Sequence, residues 1–215
     1  MNKRNRKSKT SKKDVKKVFR IFTEGKETEP RYIRGYIEEY LLQNNCFDKI
    51  LFASKPKNHS PKSLLENAKE SDADNIWIVF DQDGHDKIPE TFVEAEKCSI
   101  EIAFSSISFE TWILMHFEYT TKSYAKCDDL ISDLQHFKKH IPDYQKAMPQ
   151  LFAVATANNG LENAIKHAIK LCKEVPENYP ENTPIYKMNP YTDFHRLLAA
   201  IDEFLGNQKI ANNLN

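Results

Sequence analysis

Apolar residues along this chain follow two rhythms. Short unbroken runs alternate with longer stretches in which apolar positions recur every three or four residues. The runs at 18–22, 49–53, 75–80 and 99–104 read as strands. The most apolar of them, Ile76-Trp77-Ile78-Val79-Phe80, has no polar break and reads as a strand buried on both faces. Between the runs lie helical stretches. One starts at Pro30, with Thr28 or Glu29 as cap, and carries the stripe Tyr32, Ile33, Tyr36, Ile37, Tyr40 and Leu41. Those tyrosines are expected in the core rather than on a base-stacking surface. Further helices are predicted at 63–69 and 89–97. A strongly apolar one opens at Ser108 as cap and runs through Trp112 to Phe117.

Strand-helix order with crossovers of this length predicts parallel pairing. The expected fold is α/β, a mainly parallel sheet of about four strands with helices on both faces. From about residue 120 the pattern turns helical and more polar, with helices at 128–139 and 161–173. A last helix is expected to open on Asn189-Pro190-Tyr191-Thr192. The expected organisation is a basic arm (1–16) without apolar periodicity, an α/β core (17–118) and a helical C-terminal part packed on it (119–215).

The polar residues that end the strands carry the chemistry. The central run ends in Asp81-Gln82-Asp83-Gly84-His85-Asp86. Parallel sheets place ligands at the carboxyl ends of strands. Asp81 and Asp83 alternate on an extended exit, so both can face one ion. Two carboxylates that close repel unless a cation lies between them, and a hard divalent cation takes oxygen ligands. A plain polar turn is the competing reading, because Asp and Gly are ordinary turn residues. Glu24, at the exit of the first strand, favours the site: acids at two separate strand ends are hard to explain by turn chemistry. Glu110, in the first turn of its helix, is a further candidate, with dipole complementation as the alternative. His116 is expected as a core histidine. His136 and His140 are four apart but lack the Glu of HExxH, so a solvated helix face is expected there.

Composition narrows the class. At 40% hydrophobic and 29% charged residues, the 215-residue chain is that of a globular protein. No apolar run approaches the ~20 residues of a membrane span. The basic N-terminus has no apolar segment behind it, so no secretory signal is expected. Four scattered cysteines fit neither a zinc knuckle nor a disulfide framework and point to the cytoplasm. Five glycines and no GxxxxGK[ST] exclude a P-loop. Net charge is zero, yet residues 1–20 carry ten Lys and Arg against Asp14 alone, a balance of +9, and the remainder stands at −9. An arm with Arg4, Arg6, Lys12 and Lys13 in front of an acidic body suits nucleic-acid binding. A solubilising tail is the alternative.

Four segments in order resemble one family. They are Thr23-Glu24-Gly25-Lys26-Glu27-Thr28-Glu29-Pro30, Phe80-Asp81-Gln82-Asp83, Ser108-Phe109-Glu110-Thr111-Trp112-Ile113-Leu114-Met115-His116-Phe117 and Asn189-Pro190-Tyr191-Thr192-Asp193-Phe194-His195-Arg196-Leu197. Together, from about 18 to 205, they look like the RloB family. That family is similar to the Toprim-type nucleases, with a small Rossmann-like parallel sheet. The resemblance implies that Glu24 is the Toprim glutamate and that Asp81 and Asp83 are its DxD pair. It implies phage-defence loci and an ATPase partner. His85 stands where the family often has His, and the Tyr144-Gln145-Lys146 loop resembles a family feature; Lys146, the cation in that loop, is a candidate to steady a phosphate. The chain departs from the family at Ser106-Ile107, where Asn-Pro is common, and at Gly84, where a charged residue is usual.

The implied activity is a nuclease in which Glu24, Asp81 and Asp83, with Glu110 as a possible fourth ligand, hold Mg2+ or Mn2+. Clustered carboxylates alone would repel a phosphate, so metal dependence follows. Glu24 can also act as general base, and His85 as a proton-transfer group. Lys26 and Lys146 would contact phosphate. The substrate is RNA (tRNA among the candidates) or DNA. Two rivals stand beside it. A haloacid-dehalogenase-type phosphatase also has DxD after a strand, but on its first strand and with Thr or Val where His85 stands. The other rival is a non-catalytic nucleic-acid-binding or regulatory subunit.

Overall fold

The computed structural model describes residues 17–44, 50–52, 59–82, 84–136 and 140–206. Five strands form one sheet: β1 (Phe19–Thr23), β2 (Ile50–Phe52), β3 (Asn75–Asp81), β4 (Glu101–Ser106) and β5 (Tyr191–Thr192), in the order β2-β1-β3-β4-β5. The first four are parallel and β5 is antiparallel to β4. The central pair is β1 and β3, aligned with Ile21 opposite Trp77 and Thr23 opposite Val79.

The helices are α1 (Thr28–Asn44), α2 (Pro61–Lys69), α3 (Ile88–Lys97), α4 (Glu110–Met115), α5 (Cys127–His136), α6 (Leu151–Thr156), α7 (Gly160–Glu174) and α8 (Phe194–Leu205). They cover both faces. On one, Phe80 and Phe104 meet Phe92 of α3 edge-on, at 5.9 and 5.6 Å between ring centroids. On the other, Phe19 meets Phe204 of α8 at 5.3 Å, and the Arg196 guanidinium lies over Trp77. The strand alternation of β1 and β3 produces both contacts, since Phe19 and Trp77 point one way and Phe80 the other. Tyr32 and Tyr36 are fully buried, as the stripe of α1 predicts. Their hydroxyls are satisfied by His116 Nε2 at 2.7 Å and by Asp202 Oδ1 at 2.9 Å.

Among the described residues the sheet has the four parallel strands expected and a fifth strand that comes from beyond residue 120. Two expectations need correction. Tyr191 and Thr192 do not open the last helix. They pair with Ser106 and Ser105, and α8 begins only at Phe194. A two-residue strand has no periodicity to read, so only its partner reveals it. Asp193 ties the two parts together. It is 2% exposed, and its Oδ1 accepts the Phe104 amide of β4 at 2.7 Å. The apolar helix around Trp112 is also shorter than expected. It runs from Glu110, and Ser108 contributes its carbonyl, not its side chain, to the Thr111 amide. Among the described residues no helix is long and apolar enough to cross a membrane.

Candidate functional site

Parallel pairing of β1 and β3 brings their exits side by side. The Glu24 amide continues the ladder, donating to the Val79 carbonyl at 2.9 Å. That contact fixes the Glu24 side chain beside the end of β3, where its Oε2 accepts the Asp81 amide at 3.3 Å. Its Oε1 lies 2.5 Å from His85 Nε2. Glu24, Asp81 and His85 are therefore one cluster at the carboxyl end of the sheet, assembled from segments 57 and 61 residues apart. Glu24 is 18% and His85 25% exposed at the side chain, so the cluster is sheltered yet open to a ligand. Asp83 lies outside the described residues, as do Arg4, Arg6, Lys12 and Lys13. Lys26 is exposed on the turn after Glu24.

A second layer of acids lies behind. Glu29, 7% exposed, sits against Gly25 so closely that a Cβ there would stand 1.7 Å from Glu29 Oε2. The glycine between the two glutamates is what lets Glu29 fold back. Burial pushes the Glu29 carboxyl up to about 7. Glu110 and Glu24 add to the rise, and its own amide and Lys146 oppose it. Glu110 is 2% exposed, and its Oε1 accepts the Tyr144 hydroxyl at 2.8 Å. The Cys127 thiol lies 3.5 Å from its Oε2. Burial, then Glu110, pushes that thiol up to about 11 and raises the Tyr144 phenol as well, so neither supplies a nucleophile near neutral pH.

Lys146 belongs to the same group. Burial works against its charge, but Glu110, Cys127 and Asp81 outweigh that and hold the ammonium above its ordinary value. Its loop is pinned to the start of α1. The Ala147 amide donates to Thr28 Oγ1 at 3.0 Å, and Arg31 donates to the Ala147 carbonyl. The 144–147 loop, 119 residues from Thr28, is thus delivered to the strand ends by α1 itself.

Glu24, Asp81, His85, Glu110 and Lys146, all singled out in the sequence, share one neighbourhood. Glu29 and Tyr144 join them without having been singled out as site residues. Glu29 reads as a helix-capping acid, and only the short path across Gly25 hints that it folds back. Tyr144 is a tyrosine in a polar loop, with no signal that it reaches Glu110.

The carboxylate oxygens of Glu24 and Asp81, with Asp83 two residues on, are donors of the type magnesium and manganese take. By donor chemistry the residues fit a hard cation. Among the described residues, no three acid, histidine or cysteine side chains already converge as metal ligands. His85 and the Asp81 amide occupy the Glu24 oxygens instead.

The fold and the cluster define a class: an open, mainly parallel α/β sheet with an acidic site at adjacent strand exits. The family model described as RloB-like protein matches residues 19–201, and the chain belongs to the RloB-like family. No curated protein and no solved structure matches it.

Proposed function

We propose that this protein is a Mg2+- or Mn2+-dependent nuclease of Toprim type that hydrolyses phosphodiester bonds in RNA or DNA. The observation that carries the reading is the meeting of Glu24, Asp81 and His85 at the ends of two adjacent parallel strands. On the family resemblance, its setting is prokaryotic phage defence in the cytoplasm, beside an ATPase partner.

Glu24, Asp81 and Asp83 would hold the cation, with Glu110 behind them. Bound there, it would neutralise charge on the scissile phosphate and on the leaving oxygen. The protein's own groups do the rest. Glu24 orients His85: with Nε2–H given to Glu24, the Nδ1 lone pair is left to accept a proton. Lys146, kept charged by Glu110 and Asp81, offers a fixed cation to a non-bridging phosphate oxygen. Tyr144 holds Glu110 in place. The acidic layer repels a phosphate until a cation is present, which makes the activity metal-dependent.

The test is cleavage of total tRNA, single-stranded RNA and plasmid DNA by purified protein with manganese or magnesium, with EDTA and a Glu24→Gln variant alongside. Metal-dependent cutting that Glu24→Gln abolishes is the expected result. Full cleavage by Asp81→Asn and Asp83→Asn variants would remove the site assignment.

A further inference from the structure

Beside the acidic cluster lies an open cleft of about 1050 Å³, and its walls come from segments far apart in the chain. Gln82, Gly84, His85 and Asp86 line it from the exit of β3, and Ile88 and Pro89 from the start of α3. Lys126 and Cys127 line it from the start of α5, and Tyr186, Lys187 and Asn189 from the turn before β5. Lys146 and Ile107 line it as well. Three lysines therefore face one cleft, against the carboxylates of Asp86 and Asp128. Lys126, Lys146 and Lys187 are all exposed, and ion pairs to Lys126 or Lys187 are absent among the described residues.

Between the charged groups the lining mixes polar Gln82, His85 and Asn189 with apolar Ile88, Pro89 and Ile107 and the ring of Tyr186. Tyr186 is half-buried and braced from behind by Phe92, 5.3 Å away and tilted 44°. Its carbonyl accepts Gln82 Nε2 at 3.3 Å, which ties the segment to the strand exit that carries Asp81. Tyr124 is buried, with its hydroxyl committed to Asp133, and so forms wall rather than platform.

A duplex presents phosphates outward and keeps its base faces stacked inside, so it has no use for an aromatic ring and apolar side chains set among the lysines of a cleft. An unpaired strand has both a charged backbone and exposed base faces, and proteins hold it with cations along a groove and aromatic rings under the bases. We infer that this cleft is the substrate-strand channel and that it takes single-stranded nucleic acid. Lys126 and Lys187 contact phosphates, and Tyr186 carries a base next to the bond presented to Asp81 and His85. The inference rests on the nuclease reading for that last placement only. The strand-binding role stands on the cleft.

The experiment uses the full chain with Glu24→Gln in the background, so that any turnover is blocked while magnesium stays present. Fluorescein-labelled 12-nucleotide single-stranded RNA, the matching single-stranded DNA and the matching DNA duplex are titrated by anisotropy across a salt series. Both single strands are expected to bind at least about tenfold tighter than the duplex, and the stronger of the two names the sugar. Lys126→Gln and Lys187→Gln each flatten the slope of log K against log salt by about 0.7. Tyr186→Ala weakens binding by about tenfold, while Tyr186→Phe does not. Lys170→Gln, which removes one charge outside the cleft, leaves the slope unchanged. Equal or tighter duplex binding, unchanged slopes in both lysine variants, or no binding of any probe overturns the inference. The cleavage assay on the unsubstituted protein is a separate arm. Single-strand binding as described, with no cutting, keeps the channel and removes the nuclease reading.

Discussion

At the scale of single residues, the site depends on a glutamate that must approach where a side chain would block it. A methyl group at position 25 would fall 1.7 Å from Glu29 Oε2, so Glu29 must move for it to fit. Gly25→Ala is therefore expected to destabilise the protein by about 1–3 kcal/mol and to abolish metal-dependent activity. Urea unfolding and the cleavage assay read the two effects. Glu29 also gives a pH signature. Its carboxyl rises from 4.5 to about 7 on folding, so between those values the folded state holds a proton that the unfolded chain has released. Stability from this group is full below pH 4.5 and falls as pH rises towards 7, by roughly 3 kcal/mol in all. Asp193, raised by burial to about 6, acts in the same direction. His116 and His195, lowered by burial to about 4, act oppositely, losing stability as pH falls from 6.5. The difference between wild type and Glu29→Gln isolates the one group. In EDTA, the variant is expected to gain on the wild type steadily from pH 5 to pH 7 and to hold that gain at pH 8, as read by urea midpoints.

At the scale of elements, the contacts that hold the C-terminal half include one to the sheet and one to the start of α1. Asp193, at the start of α8, accepts the Phe104 amide inside the protein. Removing the carboxylate leaves a buried strand N–H without its partner, which costs about 1–3 kcal/mol. Asp193→Ala is expected to lower the melting temperature by several degrees, with Asp193→Asn keeping most of the loss away because its amide oxygen can still accept. The other contact is the hold of Thr28 on Ala147. Thr28→Val deletes an acceptor of similar shape, and it is expected to cut turnover with a stability loss near ~1 kcal/mol. Thr28→Ser should restore both. Turnover lost in Val and regained in Ser would mark a hydroxyl that places Lys146, since the two variants differ from threonine by comparable volume.

At the scale of the whole molecule, charge is divided along the chain, +9 over residues 1–20 and −9 over the rest. An acidic body approaches a phosphate polymer slowly, and a basic arm offsets that by releasing counterions. Deleting residues 1–16 is expected to weaken nucleic-acid binding at low salt and to flatten its salt dependence, while cleavage at saturating substrate stays unchanged. An equal loss at all salt concentrations would move the arm from attraction to the site itself.

The apolar runs and stripes dictated β1, β3, β4, α1 and α3, because burial imposes a period that can be read without knowing the partner. The strand exits carried Glu24 and Asp81 with them: once parallel order is granted, acids at the ends of adjacent strands must lie together. The remaining features depend on a partner that local sequence does not encode. Tyr191 and Thr192 are a strand only because Ser105 and Ser106 offer an unpaired edge. Glu29 is buried because Gly25 leaves room, and Tyr144 reaches Glu110 because α1 pins its loop. Lys126 and Lys187 are ordinary surface lysines until the approach of α5 to the turn before β5 sets them in one cleft. Periodicity and strand-end chemistry are properties of neighbours in sequence, so the chain states them itself. Pairing, close approach and shared clefts are properties of neighbours in space, and those were decided only when the sheet closed over its helices.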